Sequence, residues 1–303
     1  MNTLNSVQAI PVIIERHTED AAFLWLQRDA AVYEPHYDLK DLAELDDRLE
    51  AHLDGLLVAG DAGWKAACAA LSFGEPGEVF VAAWLAVAAL DGEKLNCVMD
   101  VAKTSRENYR ALVSALAWHP AEHASGLLQS FLNANDPSYL ALGINACALH
   151  RIDPGKALQA ALSLEDELHV ARALRSIGEL GRKDLQAELN SFQSSASAMY
   201  SFWSNWSSVL LGNRLAIDLL KQQTINNTEF ATRAMPLVAR VLPSDELKNL
   251  LQHLVQDKKT VRLAMMGAGI SGDPFWVPGL LKYMEDPEVS RVAGEAFCMI
   301  TGI

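Results

Sequence analysis

The chain has 303 residues, half of them hydrophobic, with 38 acidic against 25 basic side chains and a formal charge of −13. That is enough apolar material for one or two ordinary domains, or for one elongated repeat array. The acidic balance argues against nucleic acids and anionic membranes as partners, because both present negative charge. The first twenty residues lack a basic segment followed by an apolar one, and no apolar run is long and uncharged enough to span a bilayer, so the cytoplasm is the expected compartment. Cys68, Cys97, Cys147 and Cys298 match no metal knuckle, and each falls in an apolar helical run. Buried, reduced thiols are the expectation.

In chain order, residues 1–34 read as two short helices, one with Pro11 in its first turn and the next capped by Thr18 and apolar from Ala21 to Leu26. A break follows around Pro35, which disfavours helix at Glu34. Leu39, Leu42, Leu45, Leu49, Leu53, Leu56 and Leu57 then fall at helical spacing, and Gly60 ends the run. The other face of this helix is acidic. Its Asp46 and Asp47, with Glu44 and Glu50, fit a solvated face better than acid–base chemistry, since nothing marks a pocket around them. Asp46, Asp47 and Glu50 are the candidates for docking a basic partner segment.

From residue 61 the punctuation becomes regular. One series of breaks runs through Asp91, His119-Pro120, Asp153-Pro154-Gly155, Gly181, Gly212-Asn213, Pro243-Ser244 and Gly272-Asp273-Pro274. A second runs near Pro76, Ser105, Asp136-Pro137, Asp166, Ser195, Asn227, Asp257 and Asp286-Pro287. Each recurs at about 30 residues, the mark of stacked helix pairs. Asp caps a helix start, Pro fits its first turn, and Gly permits the left-handed exit. No window alternates like a strand. The expected fold is all-α, an α-solenoid of stacked antiparallel helix pairs. A helical N-terminal region (1–60) precedes the array (61–303). The last turn, Phe297 to Ile303, is apolar and uncapped, so the array is expected to be truncated or covered at that end.

Several patterns were weighed for chemistry. Gly267-Ala268-Gly269-Ile270-Ser271-Gly272 matches G-x-G-x-x-G, but a helix precedes it and an Asp-Pro turn follows, so repeat punctuation is preferred to a dinucleotide site. His119 and His123 have metal-like spacing, yet Pro120 lies between them and further ligands are missing; a turn histidine and a surface histidine are expected. No nucleophile signature is present. The expectation is therefore no cofactor, no metal and no catalytic residue. The aromatic run Tyr200, Phe202, Trp203 and Trp206 is unusual among repeats built of Ala and Leu. Phe202 and Trp203 read as core, while Tyr200 and Trp206 remain open between core and interface. Phe275 and Trp276 are similar candidates beside a turn.

Asp286-Pro287-Glu288-Val289-Ser290-Arg291-Val292-Ala293-Gly294-Glu295-Ala296 resembles the D-P-x-V-R-x-x-A-x-x-A signature of HEAT-like repeats of the short, bilin-lyase-associated class, with its Arg displaced by one position. Lys258 to Pro274 fits the same frame less closely. The likeness covers residues 61–303 and implies a fold rather than a function. The blocks Phe23-Leu24-Trp25 to Ala31 and Leu42 to Leu56 resemble the N-terminus of a proteobacterial HEAT-like family of unassigned activity that accompanies type VI secretion components. That resemblance implies a cytoplasmic adaptor whose partner is an effector, spike or baseplate protein, or a related immunity-type role. The expected function is non-enzymatic protein binding through a basic or apolar segment of the partner. The alternative is an enzyme or cofactor handler on the same scaffold, lyase-like or of the base-excision type.

Overall fold

The periodic polar residues become helix caps. Ser105, Asp136, Asp166, Ser197, Thr228, Asp257 and Asp286 each accept a hydrogen bond from a backbone N–H two or three residues later. These bonds satisfy donors that a helix start leaves free. A long helix follows each cap. Asp91, Asp153, Asn213 and Asp273 then close the turn into a second helix in the same way.

The structure, a computed structural model, describes residues 10–34 and 36–303. The described residues form 18 α-helices and no strand, so the protein is all-α. They are α1 (Pro11–Ala31), α2 (Leu39–Val58), α3 (Asp61–Ala70), α4 (Pro76–Ala88), α5 (Gly92–Ala102), α6 (Arg106–Trp118), α7 (Ala121–Leu132), α8 (Pro137–Leu149) and α9 (Lys156–Ala160). The remainder are α10 (Glu167–Glu179), α11 (Gln186–Phe192), α12 (Ala198–Leu210), α13 (Ile217–Ile225), α14 (Ala231–Val241), α15 (Ser244–Leu254), α16 (Val261–Ser271), α17 (Val277–Tyr283) and α18 (Ser290–Thr301). No single helix among them is long and apolar enough to cross a membrane.

The chain divides into two compact units, residues 1–134 with 145–150, and residues 135–144 with 151–303. In the first, α1 packs on α2, α3 and α4, and α4 packs on α6. In the second, α10, α12, α14, α16 and α18 pack in succession, with α11, α13, α15 and α17 between them. Both are solenoid-like stacks in which a helix buries its apolar side only against its neighbours.

Small residues set how closely the long helices approach. A Cβ on Gly178 would stand 2.7 Å from the Ser207 Cα, and one on Gly269 would stand 2.8 Å from the Ala296 Cα. Gly269 belongs to the G-x-G-x-x-G run, and Gly267 in the same run faces Leu251 and Met235 at similarly short range. Gly267 and Gly269 serve packing, and Gly272, with a positive φ of 65°, ends α16.

Three expectations need correction. Residues 11–31 form one continuous helix, not two: Thr18 is buried at its middle, and its hydroxyl donates to the Ile14 carbonyl (3.1 Å) instead of capping a new helix. The flanking Pro35 and residues 1–9 lie outside the described residues. Of the leucines of α2, only Leu45, Leu49, Leu53 and Leu56 are buried; Leu39 and Leu57 are exposed, because α2 packs along one narrow stripe. The thiols are free, but Cys97 and Cys298 are exposed, since they fall on outward positions of α5 and α18; Cys147 alone is fully buried.

Candidate docking surface

Counting from each cap gives the register of the long helices. The ninth residue beyond Asp166, Ser197, Thr228 and Asp257 is Arg175, Trp206, Leu237 and Met266. The thirteenth is Glu179, Leu210, Val241 and Ile270. None of these eight is fully buried, whereas Leu174, Asn205, Val238 and Met265 beside them are. The helical period places them in one stripe per helix at the margin of the core, where Trp206, Leu237, Val241, Met266 and Ile270 pack on it and keep part of their surface exposed. Because α10, α12, α14 and α16 pack in succession, the stripes lie side by side on one face of the second unit.

The aromatic run is divided by this face. Phe202 is fully buried and stacks on Phe230 with ring centroids 4.4 Å apart. Trp203 and Trp206 are half-buried, pack their inner edges on the core and meet each other edge to face at 5.4 Å. The Arg175 guanidinium lies 5.0 Å from the centre of the Trp203 ring, a cation–π contact. Glu179 locks that arginine in place. Its carboxylate accepts from Arg175 Nε at 2.7 Å, and its second oxygen lies 3.1 Å from Arg172 Nη1. Tyr200 turns away from this group: it packs edge to face on Phe192 of α11 at 5.6 Å. Burial, then the nearby Glu167 and Asp166, raise its phenol pKa.

The other candidates are elsewhere. Phe275 and Trp276 meet edge to face at the turn after α16, where Lys248 Nζ lies 5.0 Å from the Phe275 ring centre. Trp276 packs on the core beneath, and Phe275 is exposed. In the first unit, Asp46 is not free for a partner, because Arg28 Nε of α1 donates to it at 2.9 Å. Asp47 and Glu50 are exposed.

His119 is more than a turn residue. It is buried, its Nε2 lies 3.0 Å from the Trp84 carbonyl, and its ring stacks between Trp84 (4.8 Å) and His123 (5.3 Å). His123 reaches the Val87 carbonyl at 3.1 Å, and His150 reaches that of Leu116 at 3.1 Å. Each histidine thus reaches a backbone carbonyl in the last turns of a neighbouring long helix. Burial pushes the His119 pKa down, the Trp84 carbonyl opposes that shift, and His123 and His150 add to it. A second pair, His17 and His52, meets through its Nδ1 atoms at 3.0 Å beside an open depression of about 460 Å³ on α1. No group of three potential metal ligands occurs among the described residues.

Sequence reasoning found the tryptophans but missed the arginines on the helices that follow. The signal was available: α12, α14 and α16 contain no Asp or Glu, and their charged residues are Arg233, Arg240 and Arg262. Comparison of the sequence with protein-family models and with curated proteins finds no match.

Proposed function

We propose that this chain is a non-enzymatic, HEAT-like scaffold that binds another protein through the long-helix face of its second unit. The observation that carries the reading is half-exposed Trp206, in register with Leu237 and Met266 and with Trp203 packed edge to face beside it. Aromatic side chains half-seated in a rigid core make good interface anchors, because little side-chain entropy is lost on binding. Stacked helix pairs offer such surfaces without a cofactor. Free thiols, two of them exposed, suit the reducing cytoplasm. The likeness of the N-terminal block to a family that accompanies type VI secretion favours a partner from that apparatus.

Selection of a random peptide library on the immobilised chain tests the reading. Peptides enriched on the native chain are expected to lose binding to Trp206→Ala and to keep it with Asp47→Asn as a control. If Trp206→Ala lowers the melting temperature but every selected peptide still binds it equally, the face is not the docking site.

A further inference from the structure

Building on that reading, we infer that the segment docked on this face is acidic, with carboxylates alternating with apolar side chains. The chain carries 38 acidic residues, yet three consecutive long helices, α12, α14 and α16, have none. α12 carries no charge at all, and the only charged residues of α14 and α16 are arginines. Arg233, Arg240 and Arg262 are exposed and flank the apolar stripe at helical spacing: Arg233, Leu237 and Arg240 on α14, and Arg262, Met266 and Ile270 on α16. Part of the purchase of Arg240 and Arg262 is backbone carbonyl: Arg240 Nη1 donates to Pro236 (3.2 Å), and Arg262 Nη1 donates to Glu288 (3.0 Å). A guanidinium has five N–H donors, so each retains donors for a carboxylate.

The same face already holds one carboxylate. Glu179 occupies the position on α10 that Leu210 and Ile270 occupy on α12 and α16. It sits between Arg172 and Arg175 beside the Trp203 ring. That arrangement is an internal copy of the contact inferred for the partner: a carboxylate between guanidiniums, next to an aromatic ring. The apolar positions beside the arginines, Leu237 on α14 and Met266 and Ile270 on α16, decide against nucleic acid. A phosphate backbone is charged at every step and gains nothing from apolar positions between cations. A basic segment would meet arginines with no acidic side chain on three helices, and like charges in one interface are strongly disfavoured.

The test compares three labelled probes by fluorescence anisotropy on the full chain: a peptide alternating Glu or Asp with Leu or Phe, its counterpart with Lys and Arg in place of the acids, and oligo-dT. The acidic peptide is expected to bind best, to weaken as salt rises, and to lose at least ~10-fold in affinity on Arg233→Glu/Arg240→Glu. Circular dichroism and melting confirm that the double variant is folded; if it is not, Arg233→Gln/Arg240→Gln replaces it. Stronger binding of the basic peptide or of oligo-dT, no binding of the acidic peptide, or binding indifferent to the arginine changes overturns the inference. The peptides selected through Trp206 separate the two claims. Should they depend on Trp206 but carry no acidic excess, the inference falls and the docking reading stands.

Discussion

The same register position is used differently in the two units. In the first, the ninth residues beyond the residues that precede α4, α6 and α8 are Trp84, Ser114 and Asn145, and each is engaged internally. Trp84 stacks on His119, Ser114 accepts from the indole Nε1 of buried Trp25 (3.2 Å), and Asn145 donates to the Tyr109 hydroxyl (3.5 Å). In the second unit the residues at that position, Trp206, Leu237 and Met266, are just as half-buried but apolar, and they pack along the margin of the core. One architecture therefore carries two kinds of face: a closed one, whose half-buried side chains are tied to neighbours by hydrogen bonds and ring stacking, and an open one, whose half-buried side chains are apolar and where the proposed partner would dock. The difference lies in the side chains, since both units stack their helices in the same way.

The open face exists only while neighbouring helices keep register, so the strongest way to break it is at their closest approach. Gly178→Val would drive its side chain into the Ser207 backbone and displace Ser207 Oγ from the Leu174 carbonyl, to which it donates at 2.7 Å. The expected loss is about 3 kcal/mol, the upper end for overpacking, measured by denaturant unfolding. Peptide binding should fall with it. Unchanged stability would mean that the α10–α12 contact does not set the face.

The closed face breaks through its polar partners. Ser114→Ala leaves the buried Trp25 indole without an acceptor and should destabilise by about 1–2 kcal/mol, with no effect on peptide binding. His119 makes the same face sensitive to acid. In the unfolded chain its imidazole titrates near the ordinary 6.5, and burial lowers that value in the fold. The unfolded state therefore binds more protons just below pH 6.5, and stability is lost as pH falls from there through the folded pKa. Melting followed from about pH 7.5 to about pH 5 should show that fall, and His119→Gln should flatten it.

The contrast also marks what the sequence could tell. Helix pairs were legible because Asp-Pro, Gly and Ser recur at one period and each has a local mechanical role. Buried Leu and Ala positions were legible from helical spacing. The continuity of α1 was not, since Thr18 can cap a helix or bond back to Ile14, and tertiary packing of Ala21, Ala22 and Trp25 decided between them. Cys97 and Cys298 were misjudged because an apolar run says that a helix has a buried side, not which side a given residue takes. The arginine stripe was hidden for another reason. Net charge is a sum over the whole surface, and −13 conceals three helices without an acid. Aligning the repeats on their caps, before counting charges, would have exposed it.

The smallest expected effect separates the acidic helix α2 from both faces. Asp46, Asp47 and Glu50 look alike in sequence, yet Asp46 is half-buried against Arg28, and that guanidinium also lies 5.7 Å from the centre of the Trp118 ring. Asp46→Asn weakens a tie between α1 and α2 and should lose about 1 kcal/mol. Asp47 and Glu50 point into water, where hydration already satisfies their charge, so Asp47→Asn and Glu50→Gln should each change stability by less than about 0.5 kcal/mol. Binding of the acidic peptide should be equally untouched by them. A large loss of binding on Asp47→Asn would move the docking site to α2, whose acidic face calls for a basic partner, the opposite polarity to the one the arginines require.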